Sequence, residues 1–303
     1  MKNIRHISIA LGLGLLLLSL NSCNNFEQVV NIDIPEHKPA ISLSAEFGSL
    51  DTALVLSVGR SASILGSYED LELDVTPEIK LFRNGELLIE NFDCQGPFCS
   101  RSLDQVLGSA EDTYRLEISA PGWETVSSSQ KMPPLPVIKD AEFIYEGTVD
   151  PEGYTANAWN VLIQDNPDQE NYYRIDIYLN LWEVNDTDST MYSISAYPSS
   201  IDPILSPIYS NQGAALICSD ATFNGSAYWL RLYDYTVAEQ NIHSVTFEVS
   251  SISKDGYLFY KSFSAYQDSQ YNPFAEPVTV HENIENGHGI FILRNTIIEE
   301  VSF

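Results

Sequence analysis

The chain has 303 residues, 44% of them hydrophobic, and a formal net charge of −27 from 42 acidic against 15 basic side chains. A surface this negative repels phosphate backbones, which argues against nucleic acid as a partner, and it does not dock unaided on anionic headgroups. The length suffices for two domains of ordinary size, each with a core of its own.

The N-terminus reads as an export signal. Lys2, Arg5 and His6 form a short basic region, and residues 9–18 contain only Ile, Ala, Leu and Gly. That run has the length of a secretory apolar region and falls short of the about 20 residues that span a bilayer. It closes on Leu20-Asn21-Ser22-Cys23, which resembles the lipobox of bacterial lipoproteins, with Leu at −3 and a small Ser at −1. Residues 1–22 are therefore expected to be a signal peptide and Cys23 the site of lipid attachment; the plainer alternatives are an ordinary signal with a coincidental Cys, or a buried helix. Acyl chains on Cys23 would anchor the protein without spanning the membrane. Asn24 is not the Asp that retains some lipoproteins at the inner membrane, so the expected location is the cell outer membrane, with the periplasmic or surface face left open.

Residues 23–39 read as lipid anchor and tether, with an edge strand at 29–35 that stops on Pro35. From residue 40 the alternation is β throughout. Leu43, Ala45 and Phe47 share one face, as do Leu54, Leu56 and Val58, and Asn84-Gly85 is the strongest hairpin signal in the chain. Cys94 and Cys99 bracket Gln-Gly-Pro-Phe, a turn expected to bring their sulfurs together in an oxidising compartment. A disulfide there closes a small loop and contributes about 2 kcal/mol, so it would be a local staple. Two free thiols are the alternative, and Cys218 reads as a small buried strand residue. Residues 40–132 are expected to form an N-terminal β-sandwich, and 133–136, within Met132-Pro133-Pro134-Leu135-Pro136, a stiff linker.

Residues 137–303 form the expected C-terminal β-rich domain. Tyr173, Ile175, Ile177, Leu179 and Leu181 make one strand face, with Arg174, Asp176 and Asn180 on the other; Tyr178 and Trp182 lie on that polar side too. Tyr228, Leu230 and Leu232 repeat the pattern, as do Val245, Phe247 and Val249. One short helix is predicted over residues 253–267, with Ser253 as N-cap. The fold class is all-β: two β-sandwich domains of immunoglobulin or transthyretin type, with one short helix in the second.

No Gly-x-Ser-x-Gly, His-Glu-x-x-His or phosphate-cradling loop is present, so no catalytic residue is assigned and enzymatic activity is not expected. His281 and His288 flank an Asn-Gly turn, with Glu282 and Glu285 nearby, and read as loop histidines; no metal site or cofactor is assigned. Asp165, Asp168 and Glu170 supply oxygen donors at loop spacing but lack the twelve-residue calcium loop, and weak calcium binding there is left open. Aromatics are the remaining candidates. Trp229, Tyr233 and Tyr235 share the strand face opposite Leu230 and Leu232, with Arg231 among them, and are the candidate partner-binding face; burial of both faces is the alternative.

Residues 271–278, Tyr-Asn-Pro-Phe-Ala-Glu-Pro-Val, followed by Asn283-Ile284-Glu285-Asn286-Gly287-His288-Gly289-Ile290-Phe291, resemble the closing signature of a lipoprotein family of Bacteroidota, domain-of-unknown-function family 4249. Val30-Asn31-Ile32-Asp33-Ile34-Pro35, Ser219-Asp220-Ala221-Thr222-Phe223-Asn224-Gly225 and Ile252-Ser253-Lys254-Asp255-Gly256-Tyr257 also stand at that family's usual places. A departure is Phe291-Ile292-Leu293-Arg294, where members more often carry a Gly pair after the Phe. The resemblance implies an envelope lipoprotein often encoded beside TonB-dependent outer-membrane receptors, and it supplies no catalytic positions. By itself the signature reads as a tight turn entering a last strand, a packing latch in which Phe274 plugs the core. The function expected is a non-enzymatic binding or accessory module held to the membrane by its N-terminal lipid, with a TonB-dependent receptor or other envelope protein as partner. The competing classes are an extracytoplasmic hydrolase with a site between the domains, and a purely structural or adhesion component.

Overall fold

Alternating apolar residues produce strands wherever they were expected after residue 40, and among the described residues their pairing builds three sheets. The computed structural model describes residues 36–63, 66–108, 110–184, 189–210, 213–235, 242–270 and 274–302. The signal peptide, Cys23 and the edge strand expected at 29–35 lie outside these residues.

The first half contributes β1 (Ile41–Gly48), β2 (Ala53–Arg60), β3 (Glu78–Arg83), β4 (Glu86–Ile89), β5 (Asp93–Gln95), β6 (Phe98–Ser102), β7 (Thr113–Ser119) and β8 (Val126–Lys131). After the Pro-rich segment come β9 (Val137–Val149), β10 (Thr155–Gln164), β11 (Tyr172–Val184), β12 (Ser189–Ser195) and β13 (Ser199–Ser200). They are followed by β14 (Ser206–Ser210), β15 (Gly213–Ser219), β16 (Ala227–Asp234), β17 (Ile242–Ile252), helix α1 (Lys254–Gln270) and β18 (His288–Ser302). The β3–β4 hairpin turns on Asn84 and Gly85, with φ of 52° and 86°, the positive pair that a tight two-residue turn demands. Cys94 and Cys99 face each other in register across β5 and β6 and are disulfide-bonded. Cys218 is a free thiol buried in β15.

A ten-stranded sheet runs β14-β15-β11-β17-β18-β1-β2-β6-β5, with β12 pairing alongside β11. Two four-stranded sheets, β4-β3-β7-β8 and β13-β16-β10-β9, complete the set. Strand β18 joins the two halves of the large sheet. Its residues from His288 to Arg294 pair parallel with β1, and those from Arg294 to Ser302 pair antiparallel with β17. Because side chains alternate, one face of β18 feeds both cores. Phe291 and Leu293 pack with Leu43, Phe47, Leu56, Leu81 and Leu116 in the first. Ile297 and Val301 pack against the second, which is built on Trp159, Val161, Ile177, Leu230 and Phe247. The two cores share one sheet, and the first draws Ile284, Phe291 and Leu293 from beyond residues 133–136. Residues Pro39–Phe303 form a single compact unit, so the Pro-rich segment connects two cores rather than two separable bodies.

Helix α1 packs against β18 and covers part of the other face of the large sheet. The Ser253 hydroxyl accepts the Gly256 amide at 3.3 Å, capping the helix at the position expected, and the helix runs one turn beyond Gln267. Gly256 permits the close approach, since a Cβ there would sit 2.7 Å from Ile292 Cγ2. The latch expected after the helix is real in part and differs in its key residue. Asn283 brackets Phe291 through two hydrogen bonds of 2.8 Å, mimicking a strand partner, and Ile284 enters the first core. Phe274 instead lies 93% exposed. The contact with the first core is made by Ile284, beside Asn283, and Phe274 stays at the surface.

Gly289 is the tightest point of the latch. It has φ of +110°, and a Cβ there would lie 1.8 Å from the Leu43 carbonyl oxygen across the β1–β18 pairing. Gly122 also has positive φ, +84°, but an added Cβ would meet nothing within 4 Å. Gly122→Ala should cost about 1 kcal/mol for backbone strain alone. Gly289→Ala should cost well over about 3 kcal/mol, because the strand pairing itself must give way. Denaturant titration of both variants beside the parent checks the ordering.

Candidate functional site

The polar face of β11 becomes a site through residues distant in sequence. Arg174, Asp176 and Tyr178 point away from the cores because their neighbours Tyr173, Ile175 and Ile177 point in. Glu46 of β1 and Arg294 of β18 stand on the same outer face, and α1 lays Tyr260 over them. Arg174 makes four hydrogen bonds: Nε and Nη2 grip Asp176 at 2.8 and 2.9 Å, and Nη1 reaches Glu46 at 3.0 Å and the Tyr260 hydroxyl at 2.8 Å. The Tyr260 hydroxyl in turn donates to Glu46 Oε2 at 2.6 Å. Arg294 bridges Glu46 at 3.3 Å and Asp51 at 3.0 Å, so Glu46 is shared between both guanidiniums. Burial disfavours the Arg174 charge, but Tyr260, Glu46 and Asp176 beside it hold its pKa well above the ordinary value. Burial likewise pushes the Tyr260 phenol up, which keeps it a donor to Glu46.

Above this network is a cleft of about 330 Å³ between α1 and the β14–β15 side of the sheet. Glu46, Arg174, Asp176 and Tyr260 form its charged floor. Its walls are aromatic: Tyr178 and Tyr209 on the sheet side, Phe259 and Phe263 on the helix. The two phenylalanines stack at 5.5 Å with planes 11° apart, and Tyr209 and Phe263 are 61% and 37% exposed. A concave, mostly apolar space with a few fixed polar groups is the usual form of a small-ligand site, and this volume lies at the lower end of the roughly 300–1,000 Å³ such sites occupy.

The predicted aromatic face is also present. Trp229 and Tyr233 are half-buried on the outer side of β16, Tyr235 is 54% exposed, and Leu230 and Leu232 are in the core. Tyr233 and Tyr235 meet edge to face at 5.9 Å, and the Tyr235 hydroxyl donates to Asp150. Trp229, Arg231 and Tyr233 line a shallow groove of about 420 Å³ with Asn160 and Glu142, which are hydrogen-bonded to each other at 2.7 Å.

Other sequence candidates do not converge. Asp165 is buried and holds the Tyr173 hydroxyl at 2.6 Å, the Gly225 amide at 2.7 Å and Asn171 at 3.1 Å, tying two loops together. Asp168 is exposed, and Glu170 accepts from Tyr172 and Lys254 at the surface. The three carboxylates thus face different partners and make no common calcium site. His281 hydrogen-bonds Asp255 at 2.7 Å and His288 contacts Glu282 at 3.1 Å, each a separate pair that fastens the latch. Among the described residues no group of three or more His, Cys, Asp or Glu is arranged to hold a metal ion.

Glu248, opposite Asp176 on β17, completes the charged face. Burial, followed by the neighbouring Asp176, holds its carboxyl above the usual carboxylate range. The folded protein therefore binds this proton more tightly than the unfolded chain does, and stability falls as pH rises from the unfolded value of 4.5 through the higher folded one. Glu248→Gln removes the charge and its penalty. The variant should melt above the parent at about pH 7, and the difference should vanish below about pH 4, where the unfolded carboxyl is protonated as well. Thermal melts at the two pH values check the sign.

No curated protein matches this chain. Among solved structures, the collagen binding domain of Erysipelothrix rhusiopathiae surface protein RspB is similar at 8% identity, over 86% of this chain and 96% of that one. Its TM-score of 0.19 is too low for the likeness to bear on site or role. The family model described as "Domain of unknown function (DUF4249)" matches residues 27–296. That span runs through both cores, helix α1 and the latch into β18, and the chain belongs to the DUF4249 family.

Proposed function

We propose that this protein is a cell-envelope lipoprotein, held at the outer membrane by acyl chains on Cys23, and that it works as a non-enzymatic binding or accessory module. The partner proposed is a TonB-dependent receptor or another envelope protein. The signal-peptide pattern, Cys23 and the net charge of −27 support an exported, lipid-tethered body. Among the described residues no helix is long and apolar enough to cross a membrane.

The observation that carries the binding reading is the aromatic-walled cleft over a floor whose charges are already paired. Arg174 already makes four hydrogen bonds, to Asp176, Glu46 and Tyr260, before any ligand arrives, which supports a preorganised site. A hydrolase would need a nucleophile beside a base. Cys218 is sealed in the second core, where burial pushes its thiol far up, which does not suit that role. The groove at Trp229 and Tyr233 supports a second contact, for a protein partner, since half-exposed aromatics dominate binding hot spots.

Two measurements test this reading. Cys23→Ala should shift the protein from the detergent phase to the aqueous phase on extraction; continued partitioning with membranes would place the anchor elsewhere. Trp229→Ala should cost about 1 kcal/mol or less, against about 3–5 kcal/mol for Trp159→Ala, whose ring is 1% exposed in the second core. With stability preserved, Trp229→Ala and Phe263→Ala should each reduce recovery of envelope partners by the lipidated protein. Full recovery by both variants would remove both surfaces from consideration.

A further inference from the structure

The hydrogen-bonding state of the cleft floor says what chemistry it takes, provided the cleft is the binding site. Arg174 donates to Asp176 twice, to Glu46 and to Tyr260, which accounts for four of its N–H groups. Glu46 already takes Arg174, Arg294 and the Tyr260 hydroxyl, whereas Asp176 is far from full. Each Asp176 oxygen accepts one hydrogen bond, from Arg174, although a carboxylate has about four acceptor positions. The floor is therefore poor in free donors and rich in acceptors. Charge points the same way: Glu46, Asp51, Asp176 and Glu248 stand against Arg174 and Arg294. Even with Glu248 protonated, negative groups outnumber positive ones.

The walls add to this. Aromatic faces attract cations within about 6 Å of a ring centroid, and the site already contains one such contact, Arg174 Cζ at 5.5 Å from the Tyr260 ring. The exposed wall formed by Tyr209, Phe259 and Phe263 offers the same surface to a second cation and also accepts an apolar body. An anion would find Arg174 occupied and carboxylates facing it.

We propose that this cleft binds a cationic ligand: an ammonium or guanidinium group, seated on Asp176 with the Glu46 charge beside it, carried by an apolar or aromatic body held between Tyr209 and Phe263. The chain's net charge of −27 draws such ligands toward it. A free organic amine and a Lys or Arg side chain on a peptide share this chemistry.

The test is calorimetric titration of the full mature protein, at low salt, with phenethylamine, its neutral N-acetyl derivative, 3-phenylpropanoate, and a blocked tripeptide with a central Lys. Phenethylamine or the Lys peptide should bind at least about tenfold more tightly than the neutral and anionic probes, and Phe263→Ala should weaken that binding by about tenfold. The favoured cationic probe identifies the source. Phe263 is partly exposed and outside the cores, so this variant folds; Asp176→Asn is the second variant, and it should weaken the cationic probe while sparing the neutral one. Equal binding of neutral and cationic probes, lost in Phe263→Ala, would overturn the cationic class and leave the cleft as a binding site. Cationic binding indifferent to Phe263→Ala and Asp176→Asn would overturn both. No binding by any probe at about 10 mM, roughly tenfold above a millimolar Kd, would overturn the cationic proposal.

Discussion

Everything else in this fold depends on one strand being shared by two cores. β18 changes partner at Arg294, leaving β1 on one side and taking up β17 on the other. Its inward residues keep a single parity through that change, so Phe291 and Leu293 fill one sandwich and Ile297 and Val301 the other. A one-residue slip would turn all four to the outer face at once. The register is held by Gly289 against Leu43 and by Asn283, which accepts the Phe291 amide and donates to its carbonyl. The first and last strands among the described residues are thereby fastened together in parallel.

The cleft is a consequence of that arrangement. Both small sheets pack on one side of the large sheet, which leaves the opposite side free for polar residues. Helix α1 covers only part of it, resting close to β18 at Gly256, and the cleft opens between its Phe259 and Phe263 and the β14–β15 side of the sheet. Arg294, at the point where β18 changes partner, links Asp51 and Glu46 of the first half to the network that Arg174 and Tyr260 bring from the second. Partly buried charge networks contribute little stability, because desolvation offsets most of the attraction. Their positions on a sheet that apolar residues would stabilise as well fit a role in recognition. The helix fits that role too: Gly256 is its one buried residue, and Phe259, Phe263 and Tyr266 form a stacked row along its surface.

Local chemistry made much of this legible in the sequence. Strict alternation over residues 173–181 placed Arg174 and Asp176 on the face opposite Ile175 and Ile177, and they are there. Asn84-Gly85 named its turn, Ser253 its helix start, and Leu230 and Leu232 the inner side of β16. What could not be read was convergence. Glu46 lies 128 residues from Arg174 and 214 from Tyr260, and no periodicity reports a parallel pairing between the chain's two ends. The same limit explains why one unit appeared as two domains. Three prolines in a row of four mark a change of core at residues 133–136, whereas the strand that ties the cores together comes more than a hundred residues later. Phe274 was misplaced for a related reason: burial follows from where a loop docks, and here Asn283 and Ile284 decide that.

The shared strand predicts how the molecule opens. If β18 fastens both cores, amides of β1 in the first and β17 in the second belong to one cooperative unit. Native-state hydrogen exchange across a denaturant series measures this directly. The prediction is that the most protected amides of β1, β17 and both halves of β18 converge on the same opening free energy and the same denaturant slope. Convergence of β17 and the second half of β18 alone, with β1 and its sandwich opening separately at lower denaturant, would contradict it.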